Sequence, residues 1–230
     1  MTGPDAAYSG GPGSTDWDAW HADYADPASA LSARLEVVQS EIRADLDRRA
    51  ATGRPGPLTV LSACAGDGRD ILGVLAEPAY RPGARNPVAV SLLETDRRNL
   101  DRAERFCREA GLSGVRLLDR DAGVSDSYLD AAPADLVLMC GVLGNLTDAD
   151  ARQLVEFLPA LCRPGATLIW TRSRRAPDLT PALREWLAGA GFTELAFTAP
   201  PGVLGSVGTC RFDGQPAPLV AGRQLFRFIR

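Results

Sequence analysis

An apolar strand that breaks into a glycine turn and then a helix leaves few architectures open, and residues 58–70 read that way. The run Leu58-Thr59-Val60-Leu61-Ser62-Ala63 has strand character, and Cys64-Ala65-Gly66-Asp67-Gly68 is a turn of small residues. Beyond it Ile71, Leu72, Val74 and Leu75 recur at helical spacing. In an α/β sheet this unit forms a ligand cradle at the carboxyl end of a strand. Backbone can approach a ligand there, and helix N-terminal amides point into the site.

Downstream, strand and helix patterns alternate. Strands are expected at 58–63, 88–94, 115–118, 135–140, 166–171, 193–198 and 224–229. Helices are expected at 68–75, 96–110, briefly near 125–131, at 148–161 and at 180–190. The pattern predicts an α/β, doubly wound, seven-stranded and mostly parallel sheet. The last two strands have no helical pattern between them, so the C-terminal strand is expected to be antiparallel. Upstream, 1–15 is Gly-, Pro- and Ser-rich and reads as a flexible leader. Residues 16–57 carry Trp17, Trp20, His21 and Tyr24, then Leu31, Leu35, Val38 and Ile42 at helical steps. They read as an aromatic and helical lid ahead of a domain spanning 58–230.

The 230 residues suit one such domain. A net charge of −4 gives no electrostatic reason to expect nucleic acid or an anionic membrane as partner. No run approaches the ~18 apolar residues of a membrane span, and no signal pattern opens the chain, so a cytoplasmic protein is expected. Cys64, Cys107, Cys140, Cys162 and Cys210 are scattered, odd in number and without metal-ligand spacing. They read as reduced thiols, with no metal site.

Three further strand ends carry residues suited to line a nucleoside site. Leu92-Leu93-Glu94-Thr95-Asp96 closes an apolar strand with a carboxylate, which can accept hydrogen bonds from two ribose hydroxyls. Asp119-Arg120-Asp121-Ala122 follows the third strand, and Cys140-Gly141-Val142-Leu143-Gly144-Asn145 the fourth. A dinucleotide fingerprint needs a third glycine, and that place holds Ile71.

With these residues in order, the chain from 58 to 230 resembles the class I S-adenosylmethionine-dependent methyltransferases. Val60–Gly68 is similar to the family's first motif, with Gly66 and Gly68 in its second and third glycine places. Glu94 matches the acidic residue that in the family binds the ribose hydroxyls, and Asp121-Ala122 the pair that holds the adenine. Cys140-Gly141-Val142 resembles the loop that lines the cofactor. The resemblance implies S-adenosyl-L-methionine as cofactor, held by Ser62, Ala63, Cys64, Ala65, Gly66, Asp67, Gly68, Glu94, Thr95, Asp121, Ala122, Cys140, Gly141 and Val142. It makes 58–230 a methyltransferase catalytic domain. Two positions depart from the pattern. Ser62 stands where the family has an acidic residue, and Cys64 where it has the first glycine. Asp67 is then an alternative partner for the methionine amino group.

Methyl transfer needs an acceptor held in line with the methyl–sulfur bond, and a base only if the acceptor must lose a proton. His21, the one histidine, is the candidate base and Tyr24 the aromatic closing the sulfonium end; both also suit a packed aromatic segment. Trp20, Asn145, Thr171 and Arg172 are candidate substrate contacts; Asn145 also suits a helix cap and Arg172 a solvated loop. The glycine-rich segment 202–209 reads as a substrate wall or a connection. A small-molecule acceptor, methylated on oxygen or nitrogen, is the expectation. RNA or protein methylation, and cofactor binding without transfer, are the alternatives. A monomer and a homodimer are both left open.

Overall fold

The computed structural model describes residues 29–52, 56–81, 87–199 and 203–229. The expected leader, Trp17, Trp20, His21 and Tyr24 lie outside the described residues. In order, the elements are α1 (Ala30–Ala51), β1 (Leu58–Ala63), α2 (Arg69–Leu75), β2 (Val88–Glu94), α3 (Arg97–Ala110) and β3 (Val115–Asp119). They continue with β4 (Ala134–Met139), α4 (Asp148–Phe157), β5 (Cys162–Ser173), α5 (Thr180–Gly189), β6 (Phe192–Thr198) and β7 (Gly205–Phe212). The seven strands lie in the order β3-β2-β1-β4-β5-β7-β6. The pairings from β3 to β5 are parallel, and β7 runs antiparallel between β5 and β6. The strand order reverses between β1 and β4, the switch point where such sheets open a crevice.

Side-chain alternation assigns the two faces. Val60, Leu92, Leu136, Leu138 and Ile169 pack with Val38 and Ile42 of α1, Ile71 and Leu72 of α2, and Ala103 of α3. Leu61, Leu93, Val137, Met139, Leu168 and Trp170 pack on the opposite face with Leu154 of α4 and Leu183 of α5. Strands covered on both faces read as unbroken apolar runs, and every residue of β4 is buried. Local signals set the helix starts: Asp96 accepts from the Arg98 N–H at the head of α3, and Thr147 from the Asp150 N–H at the head of α4.

The helix expected as part of a lid packs as a layer of the fold. α1 is fastened to the sheet by a buried polar cluster. The Asp45 carboxylate, fully buried, accepts from Arg49 Nε at 2.7 Å and from Thr167 Oγ1 at 2.6 Å. Arg49 donates onward to the carbonyls of Asp135 (2.8 Å) and Gly165 (3.1 Å), joining α1 to β4 and β5.

The last strand is also not where its pattern was expected. It is Gly205–Phe212, within the segment read as a wall or connection, while Gln224 forms only an isolated bridge to Val124. The physical reason is Trp170. A Cβ at Gly208 would stand 2.2 Å from the fully buried indole, so β7 carries glycine where the ring lies against it. Glycines dilute a strand pattern, and Leu225 and Phe226 are apolar because they are buried elsewhere.

Two stability predictions follow from these contacts. Gly208→Ala should cost about 1–3 kcal/mol by overpacking against Trp170, read from the urea midpoint. Asp45→Ala, which strands Arg49 and Thr167, should cost about 3–5 kcal/mol in the same measurement.

Candidate active site

A cleft of about 500 Å³ opens at the carboxyl ends of β1, β2 and β4. From the β1 turn it is lined by Cys64, Ala65, Gly66 and Asp67, and from the end of β2 by Glu94 and Thr95. Asp121 and Ala122 line it after β3, and Cys140 and Gly141 after β4. Ser62, Ala63, Gly68 and Val142 are buried behind this surface.

The β1 turn keeps its geometry despite its sequence. Cys64 has φ 51°, the left-handed conformation that glycine takes without penalty, at a cost of about 1–2 kcal/mol for a residue bearing a Cβ. Gly68 has φ 71°, and a Cβ there would come within 2.6 Å of Leu92. Four amides of the turn and the helix start are already used. Ala65 N–H donates to the Leu93 carbonyl, Gly68 N–H to the Ala65 carbonyl and Arg69 N–H to Asp67 Oδ1. Gly66 N–H donates to Glu94 Oε2 at 2.7 Å. At Ala65 and Gly66 the turn therefore offers a ligand close approach over small residues rather than amide donation.

Glu94 is held by three backbone donors. Besides Gly66, the N–H groups of Thr95 (2.9 Å) and Asp96 (2.8 Å) reach Oε1. The carboxylate is fixed in place, and Oε2 keeps accepting capacity toward the cleft. Asp121 Oδ1 accepts from Gly123 N–H at 2.7 Å; Oδ2 has no hydrogen bond among the described residues. Arg120 beside it is paired with Asp130, whose carboxyl the guanidinium groups of Arg120 and Arg116 hold down at about 2.

At the other end of the cleft stand Arg34 of α1 and Asp70 of α2, neither of them expected there. Burial pushes the Asp70 carboxyl up, while Arg34 and a hydrogen bond with Cys140 pull it back. Asp67, the expected alternative contact, is occupied by Arg69, which donates to it at 2.8 and 2.5 Å. The Cys64 thiol is pushed far up by burial and then by Glu94 and Asp121. The Cys140 thiol is pushed up by burial and by Asp70. Both thiols are protonated at neutral pH and weak nucleophiles.

The expected substrate contacts have other occupations. Thr171 is buried, and its Oγ1 accepts from Gly141 N–H at 2.8 Å. Arg172 donates to the Leu143 carbonyl, and Asn145 Nδ2 to the Gly141 carbonyl at 2.7 Å. All three shape the loop after β4 and none lines the cleft. Trp20, His21 and Tyr24 lie outside the described residues. Asp70 was legible as an acid in the first turn of the helix after the glycines; Arg34, thirty residues before them, carried no local signal.

A scan against protein-family models finds no match, and a search of curated proteins finds none. Solved structures share the fold. A magnesium protoporphyrin IX methyltransferase from Synechocystis PCC 6803, solved with bound S-adenosylmethionine, is 17% identical with a TM-score of 0.61; the match covers 86% of this chain and 91% of that one. The 1,6-didemethyltoxoflavin-N1-methyltransferase of Burkholderia thailandensis, solved with 1,6-didemethyltoxoflavin and S-adenosylhomocysteine, is 20% identical with a TM-score of 0.59, over 86% of this chain and 87% of that one. The (4+2)-cyclase SpnF is 16% identical with a TM-score of 0.53, over 70% of this chain and 76% of that one.

The Asp70 carboxyl gives a prediction with a definite sign. Its folded-state pKa is raised, so the stability it contributes is present below its unfolded value, about pH 4, and is lost as pH rises through the folded value. Asp70→Asn should raise the melting temperature near neutral pH, and the gain over wild type should shrink toward pH ~4. Taken together, the strand order, the switch-point cleft and these likenesses give the chain the fold shared by those methyltransferases.

Proposed function

We propose that this protein is an S-adenosylmethionine-dependent methyltransferase that methylates an oxygen or nitrogen of a small molecule. The observation that carries the reading is the placement of Glu94, Asp121 and the small-residue β1 turn around one cleft of about 500 Å³. That volume lies in the usual range for a small-molecule site. An adenosyl group brings two neighbouring ribose hydroxyls and an exocyclic amine, all donors. Glu94 and Asp121 are acceptors already oriented by backbone N–H groups, so little ordering remains at binding.

The methionine end matches as well. Asp70 and Arg34 present opposite charges suited to an ammonium and a carboxylate. Asp70 thereby takes the part that the family gives to the acidic residue replaced here by Ser62. The bound cofactor supplies an activated methyl on its sulfonium. The chain's own work is to orient the acceptor, exclude water and present no competing nucleophile, and the protonated Cys64 and Cys140 thiols meet the last condition.

His21 as base, Tyr24 as cover for the sulfonium end and Trp20 as a substrate contact belong to the same proposal. The acidic net charge favours a small acceptor over RNA, and two proteins of this fold have small-molecule acceptors in their names. All five cysteines are free, which suits a cytoplasmic protein. The likeness to a cyclase supports a second reading, in which the cleft serves a reaction other than methyl transfer.

Calorimetric titration with S-adenosylmethionine and S-adenosylhomocysteine tests the cofactor. Glu94→Ala should weaken binding by about 1–3 kcal/mol through lost charged hydrogen bonds, with melting followed alongside. An unchanged dissociation constant overturns the ribose assignment. Failure of the wild type to bind either compound overturns the function. Binding without methyl transfer to any member of a broad acceptor panel favours the second reading.

A further inference from the structure

Past β7 the chain turns back over the carboxyl end of the sheet, in a segment that no strand-end rule assigns to a site. Its first ties are to the loop after β3. Gly222 N–H donates to Asp126 Oδ2 at 2.7 Å, Arg223 N–H to Ser125 Oγ at 3.0 Å and Leu225 N–H to the Gly123 carbonyl at 2.7 Å. Gln153 of α4 supports it from below, donating to the carbonyls of Gln224 and Leu225 at 2.7 Å each. Its last tie is to the loop after β4, where Ile229 N–H donates to the Asn145 carbonyl at 3.0 Å. Leu225 and Phe226 are buried anchors in the core. Residues 224–229 are thus a strap stretched between the two loops that flank the cleft.

Between those ties sits Phe228. Its ring packs on Phe226 at 5.5 Å between centroids, and it lines the same cleft as Asp121, Ala122 and Gly141. Yet Phe228 is 42% exposed. An aromatic side chain that packing and hydrogen bonds have set in place, with part of its face toward a polar cleft, is suited to cover a flat apolar surface of a ligand. The strap meets Gly123, two residues from Asp121, through Leu225 and Phe226, and meets the loop after β4 one residue past Phe228, so Phe228 stands between the loop that carries Asp121 and Ala122 and the loop that carries Gly141. Gly123 permits this passage, since a Cβ there would come within 2.6 Å of the Phe226 carbonyl oxygen.

We propose that residues 224–229 form a wall of the ligand cleft and that Phe228 is a contact residue for the heteroaromatic portion of an adenosyl ligand. The inference rests on the S-adenosylmethionine reading and adds a binding element from the C-terminal segment. Ring-on-ring contact supplies affinity without hydrogen bonds, which suits a purine face left uncovered by the carboxylates.

The test uses the full chain and S-adenosylhomocysteine as the probe. Phe228→Ala should weaken binding about tenfold, equal to ~1.4 kcal/mol, with an unchanged melting temperature because the ring is not a core group. Phe228→Tyr, which keeps the ring, should bind within about twofold of wild type. In the wild type, amide hydrogen exchange across 224–229 should slow on adding the probe, a readout that needs no variant to fold. Phe228→Ala binding as tightly as wild type, or strap amides indifferent to the probe, overturns the proposal while leaving the cofactor reading intact. Absence of wild-type binding overturns the cofactor reading itself.

Discussion

A parallel sheet has to be covered on both faces, and everything else in this molecule follows from meeting that requirement. α1, α2 and α3 seal one face and α4 and α5 the other, so Leu92 and Leu93 of β2 and residues 136–139 of β4 are apolar whichever way they point. The buried carboxylates Asp45 and Asp135 and the cleft then lie toward opposite ends of the sheet. Toward the amino ends of β4 and β5, the Asp45–Arg49–Thr167 cluster fastens a helix. At the carboxyl ends, loops from β1, β2, β3 and β4 leave a cleft. One end of the sheet is spent on holding the fold, and the other is open to a ligand.

The open end is tied together by Glu94. Its carboxylate joins the turn after β1 to the end of β2 through the Gly66, Thr95 and Asp96 amides. An acceptor held by several backbone donors is stiff, and stiffness positions a group without further cost at binding. The same turn absorbs Cys64 in a left-handed conformation. The backbone shape of a glycine position is thus kept without the glycine, the small cost being carried by the surrounding hydrogen bonds. The altered motif therefore affects which side chains meet a ligand more than it affects the cradle.

Much of this was legible from local pattern. β2 spans Val88–Glu94 as its apolar run indicates, and Asp96, Thr147 and Gly111 mark helix ends as capping chemistry requires. The cleft residues after β1, β2, β3 and β4 were legible because each is fixed by the strand it follows. Thr171, Arg172 and Asn145 could be read either way, because a polar residue at a strand end serves either a ligand or the loop beside it. Here each is bonded to the β4 loop. β7 was hidden because the glycine that Trp170 demands erases the strand signal.

The sequence by itself determined the order of strands and helices as far as β6, the glycine turn and the acidic strand ends, because periodicity and backbone conformation are properties of neighbouring residues. Only the tertiary structure decided that Arg34 and Asp70 face each other's charge at one end of the cleft and that Phe228 lines its other side. Those residues come from a helix before the first strand, a helix after it, and the chain's last turn back over the sheet. No local pattern encodes a meeting between segments so far apart, because it is set by how the helices pack and where the final strand releases the chain.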